Sequence, residues 1–225
     1  MNETMQIVLL SLKVAILSTL LLIPVGTYFG WLFSRKRFLG KSLLEGAVNV
    51  PLVLPPVVTG YFLLYFLGPK SLAGQLLEKI GIQLAFTWQA AVVAAAVVSM
   101  PLLVRSVKVA IDSVDTKLED AARMLHVGEW AIFFRVTLPL AMNGIIAGSV
   151  LAFARALGEF GATIVFASNI PEARTLSLAI FSYLNQVDGE QKAQALVIVS
   201  ILLAYLSILI NEILLRRFVK THDRV

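Results

Sequence analysis

The chain has 225 residues, of which 58% are hydrophobic and 15% charged, with a formal net charge of +5. Soluble domains carry roughly 25% charged residues, so this composition, with a mean hydropathy of +0.84, argues for a bundle that faces lipid. The lack of cysteine excludes disulfide frameworks and thiolate metal centres, and His126 and His222 are too few for a histidine metal site.

Five runs reach the roughly 20 apolar residues that a membrane-crossing helix needs: residues 7–33, 50–67, 86–104, 138–154 and 193–215. The first is preceded by an acidic rather than a basic start and is too long for a signal-peptide core, so it predicts a permanent span. Lys13 within it reads as a snorkelling side chain. Arg35, Lys36, Arg37 and Lys41 follow. Gly40-Lys41-Ser42 resembles the end of a phosphate-binding loop, but the first glycine of that pattern would fall on Arg35. Any ATP hydrolysis is therefore expected on another polypeptide.

The second run contains V-P-L-V-L-P-P-V-V-T-G, with Pro51, Pro55 and Pro56. Each proline removes a helical hydrogen bond, so the segment reads either as irregular packing or as a span bent around a translocation path. Pro24 and Pro101 raise the same question in the first and third runs.

The third run leads into a long loop, residues 106–137, that is rich in Lys and Arg: Arg105 just before it, then Lys108, Lys117, Arg123 and Arg135. A further basic cluster, Arg216, Arg217, Lys220 and Arg224, follows the fifth run. Connections carrying Lys70 and Lys79, or Arg174 and Lys192, are poorer. The positive-inside rule then predicts the N-terminus outside and the C-terminus in the cytoplasm. That pattern explains the net charge better than a nucleic-acid face does, since no basic run is interleaved with aromatics.

Within the loop, Val114, Leu118, Ala121 or Ala122, and Leu125 recur at helical spacing. Asp115 is placed to cap the helix, and Glu119 and Asp120 suit its positive end. Gly128 is expected to close it in the left-handed conformation. A second amphipathic stretch carries Trp130, Phe133, Phe134 and Val136, and Pro139 starts the fourth span. The expectation is two short helices with an elbow, where Ala121 and Ala122 leave room for another surface.

Beyond the fourth run, Arg155 and Glu159 share one helix face. They read either as an ion pair that fixes the helix end or as a cation placed near an anion path. Gly158 and Gly161 would permit a bend or close helix contact. The role of residues 161–190 stays open between a re-entrant element, a helix extension and a loop. No internal repeat is present and no acidic residue lies centrally in a span, which argues against an ion-coupled carrier.

The run D-A-A-R-M-L-H-V-G-E-W-A-I-F-F-R-V-T-L-P, Asp120 to Pro139, resembles the EAA segment of ABC importer permeases. Ala121, Ala122, Leu138 and Pro139 fall at matching places. Asp120 stands where that family usually has Glu, with Glu119 beside it, and His126 stands where it usually has Gly. The second-span proline segment, L-A-F-A-R-A-L-G-E-F-G-A-T and S-N-I-P-E-A-R-T are similar to molybdate permeases, and less closely to sulfate and tungstate permeases.

The resemblance covers essentially the whole chain. It implies an all-α polytopic transmembrane bundle of the type I ABC importer permease kind, with one permease domain over residues 1–225. It implies no catalytic residue and no cofactor on this chain, with ATP and Mg held by a partner ATPase. The implied partners are a second copy of the chain, two ATP-binding-cassette ATPase subunits, and an external oxyanion-binding protein. The ATPase would couple through Leu118, Glu119, Asp120, Ala121, Ala122, Leu125, His126 and Gly128. The implied setting is the bacterial cytoplasmic membrane, and the implied cargo is molybdate. The alternatives are tungstate or sulfate, which are also tetrahedral dianions, and a self-sufficient ion-coupled carrier.

Overall fold

The structure is a computed structural model that describes residues 3–222; Met1, Asn2 and residues 223–225, including Arg224 of the last basic cluster, lie outside the described residues. Among the described residues every regular element is helical. The helices are α1 Glu3–Arg35, α2 Lys41–Val53, α3 Pro56–Leu67, α4 Leu72–Lys79, α5 Trp88–Asp112, α6 Thr116–Met124, α7 Glu129–Ile132, α8 Leu138–Leu157, α9 Gly161–Phe166, α10 Leu176–Leu184 and α11 Glu190–His222. A π turn, Phe133–Thr137, fuses α7 to α8.

Helix α5 forms the centre, packed between α1 and α8. The N-terminal part of its buried face is mostly alanine, with Ala90, Ala91, Ala94, Ala95 and Ala96 closed off from solvent, and larger side chains such as Leu103, Val107 and Ile111 follow. Lipid gives apolar side chains no drive toward one another, so close packing of small residues is what holds such helices together. Among the described residues four stretches are long and apolar enough to cross a membrane: Glu3–Arg35, Trp88–Asp112, Glu129–Leu157 and Glu190–Ile210. The pair α2 and α3 makes a fifth if a bent pair counts as one span.

The structure departs from the sequence expectation in two places and adds detail at a third that the sequence left open. First, the run at 50–67 is not one helix: α2 stops at Val53, Leu54 and Pro55 are extended, and α3 restarts at Pro56, with the two axes 119° apart. Two adjacent prolines remove two donors and push the residue before each one out of the helical region. The lone Pro24, Pro51 and Pro101 are each contained within a helix. Second, helix extends into both ends of the stretch 106–137: α5 runs on to Asp112, and a continuous apolar helical stretch resumes at Glu129. Third, residues 161–190 hold two short α-helices with a 3-10 turn, Pro171–Ala173, between them. Helix α9 packs on α3 and α5, and α10 packs on α11 and α1.

Candidate functional site: the α6 segment and the break after α8

Helix α6 forms for the reasons its sequence gives. The Asp115 carboxylate accepts the Lys117 backbone N–H at 2.9 Å, closing the N-terminus. The C-terminus corrects the expectation. Gly128 is extended, at φ −67° and ψ 151°, and caps α7 instead. The left-handed residue is His126, at φ 60°. Its N–H donates to the Arg123 carbonyl at 2.9 Å, and the Val127 N–H donates to the Ala122 carbonyl at 3.3 Å. That pair of bonds is a Schellman close, in which the residue after the C-cap takes the left-handed conformation. The chain must reverse two residues after Met124, so the requirement lands on His126 and not on Gly128.

The two faces of α6 differ sharply. Leu118 and Met124, with Leu125 just past the helix end, are exposed apolar side chains, and Asp120 and Ala121 lie open beside them. Ala122 is half-buried. Met124 was not singled out by the spacing, because it falls off the stripe through Leu118 and Leu125; its apolar character in a polar helix was the available signal. Val114, read as part of that stripe, is instead buried in the bundle core.

Glu119 also turns away from the exposed face. Its side chain is 3% exposed and lies 2.9 Å from Arg35 Nε, in the last turn of α1. The same Oε1 accepts the Thr137 hydroxyl at 2.7 Å. Arg35 Nη2 donates to the Val114 carbonyl at 2.9 Å. Arg123 bridges Asp120 at 2.7 Å and Glu129 at 2.6 Å, and the Glu129 hydrogen bond raises its pKa above the ordinary arginine value. Trp31 of α1 stacks on Trp130 at 5.8 Å and meets Phe133 edge-on at 5.4 Å. Arg35, Thr137 and Trp31 were invisible to spacing, since each meets α6 or α7 only after the chain has folded back.

The second set of expected site residues lies at the break after α8. Arg155 Nη1 is 2.7 Å from Glu159 Oε2, an ion pair by distance without hydrogen-bond alignment. Glu159 is 2% exposed at its side chain. Its other oxygen accepts the Ala162 N–H at 2.8 Å, closing the first turn of α9. Gly158 ends α8 at φ −88°, a conformation open to any residue. Gly161 is needed for contact: a Cβ there would sit 2.8 Å from Pro56 Cβ. A Cβ on Gly60 would sit 2.6 Å from the Ala162 carbonyl oxygen. The break after α8 therefore abuts the restart of the bent span. The α6 group and the Arg155–Glu159 group are separate clusters.

The family described as "Binding-protein-dependent transport system inner membrane component" matches residues 22–220. The molybdenum transport system permease protein ModB of Escherichia coli is 53% identical over 213 residues, covering 94% of this chain and 93% of that one. An inward-facing structure of the MetNI methionine ABC transporter superposes with a TM-score of 0.72 at 18% identity, covering 96% of this chain and 99% of that one. A bacterial alginate ABC transporter, in complex with its alginate pentasaccharide-bound periplasmic protein, superposes with a TM-score of 0.71 at 18% identity, covering 97% and 80%. With helices suited to crossing a membrane and a family match over most of its length, the chain belongs to the inner-membrane components of binding-protein-dependent transport systems.

Proposed function

We propose that this chain is the membrane-spanning permease subunit of an ATP-driven molybdate importer. It works as a homodimer with two ATPase subunits on its cytoplasmic side and an oxyanion-binding protein on the other. The observation that carries the reading is the 53% identity to the Escherichia coli molybdenum permease across nearly the full length of both chains. The exposed apolar side chains of Leu118, Met124 and Leu125 support it, because they suit a cleft on a partner while Ala121 leaves room for close approach. The N-terminus lies outside and the α6 segment in the cytoplasm. The binding protein selects the cargo.

ATP binding and hydrolysis would move α6, and the bundle would follow. On this reading Arg155, a partly exposed cation at the break after α8, is held by Glu159 as a structural pair. The test is uptake into proteoliposomes that hold the chain, its ATPase and its binding protein. Labelled molybdate should accumulate only with ATP and binding protein present, and unlabelled molybdate should compete better than sulfate. Uptake driven by an ion gradient without ATP would sink the proposal. Stronger competition by sulfate or tungstate would change the cargo.

A further inference from the structure

The one buried residue of α6 is a carboxylate, Glu119. The helix packs mainly against α7 and the π turn, and its large apolar side chains point away from the bundle. What fastens it is polar. Glu119 Oε1 receives both Arg35 from α1 and Thr137 from the π turn, at 2.9 and 2.7 Å. Arg35 spans to the Val114 carbonyl as well, so one guanidinium grips both sides of the α5–α6 corner. Arginine suits this because its planar fork presents several fixed donors.

Burying such a pair carries a desolvation cost that apolar packing of the same volume would avoid. Its advantage is direction. Arg123 of the same helix also lies 3.8 Å from Glu119, but the two partners outside α6 are what fix its orientation, whereas apolar contact lets a short helix slide or roll. The π turn sets one of those partners: an extra residue in the helical repeat rotates everything downstream, and Thr137 closes that turn.

We infer that Glu119, with Arg35 and Thr137, is a positioning device that makes α6 a rigid lever on α1 and α8. This rests on the proposal that α6 docks the ATPase. The division of labour is by face: Leu118, Ala121 and Leu125 meet the ATPase, and Glu119 passes the movement to the spans. Loss of Glu119 then leaves the docked complex assembled but slack.

The test compares two sets of variants in the complete transporter with its ATPase and binding protein in proteoliposomes. Glu119→Gln and Arg35→Gln are expected to co-purify the ATPase while moving about tenfold less molybdate per ATP hydrolysed, a change typical of lost coupling between sites. Arg35→Lys, which keeps the charge but loses the second arm, should fall between them and wild type. Thr137→Val removes one hydrogen bond with little change of shape, and should lower the ratio in a complex that assembles normally. It decides the matter if the charge variants fail to assemble. A wild-type ratio of molybdate to ATP in the assembled variants would overturn the lever, and so would an assembled Thr137→Val complex that couples fully. The docking proposal has its own control in the double variant Ala121→Glu with Leu125→Glu. If that variant keeps its ATPase, docking on α6 is wrong. If it releases the ATPase while the Glu119 and Thr137 variants couple normally, docking stands and the lever alone falls.

Discussion

Single positions of this chain are occupied for reasons the tertiary structure makes specific. His126 sits at φ 60°, where a side chain costs roughly 1 kcal/mol relative to glycine. His126→Gly should therefore raise the thermal midpoint of the detergent-solubilised chain, and His126→Val should lower it, since β-branched residues tolerate this region least. A midpoint unchanged in both would show that the turn relaxes freely. Glu159 has two duties, as partner of Arg155 and as acceptor for the Ala162 N–H. Glu159→Gln keeps an acceptor and should assemble better than Glu159→Ala, which strands a buried donor at a cost of about 1–3 kcal/mol. Exchanging the pair, Arg155→Glu with Glu159→Arg, should not restore assembly, because arginine cannot accept that bond. Recovery by the exchange would show that charge pairing is all that matters there.

Among the elements, the two breaks explain one another. The bend between α2 and α3 arises from Pro55 and Pro56, and the break after α8 is held by Glu159; the two meet where Pro56 and Gly60 face Gly161 and Ala162. Gly60→Val and Gly161→Val should each destabilise the bundle by at least about 1–3 kcal/mol through overpacking, read as loss of protease resistance. Gly158→Ala, at an ordinary φ with only ordinary contact nearby, should be tolerated. Equal tolerance at all three would mean that the crossing is loose. The adjacent prolines were legible as either irregular packing or a bend in the second run, but the 119° angle was not, because it depends on α9 lying across α3. The extension of α5 to Asp112 has a similar origin: polar residues such as Lys108 and Asp112 continue the helix where they find partners, Lys108 with Glu45 of α2 and Asp112 with Ser34 of α1.

For the molecule as a whole, the prediction is orientation. The end that bears α6 gathers Arg35, Lys36, Lys108, Lys117 and Arg123, while Lys70, Lys79, Arg174 and Lys192 lie in the connections between other spans. Cytoplasmic retention of Lys and Arg then requires reporter fusions after Lys41 and Asp120 to read inside, and fusions after Lys79 and Asp188 to read outside. An outside signal at Asp120 would remove α6 from the reach of any cytoplasmic ATPase and overturn the functional proposal.

By itself the sequence determined that the chain is a lipid-facing helical bundle, roughly where its apolar runs lie, and that a capped amphipathic helix begins after Asp115. These properties follow from local composition and period, which are written along the chain. Helical spacing also suggested that Arg155 and Glu159 meet, but α8 ends at Leu157, so their 2.7 Å contact is made across the helix end and not along one helix face. Only the tertiary structure decided that Glu119 points inward to Arg35 and Thr137, that His126 and not Gly128 takes the left-handed turn, and that Gly161 is small because Pro56 lies against it. Each of those depends on residues far apart along the chain, or on the exact place where one short helix stops, and neither is encoded in a local repeat.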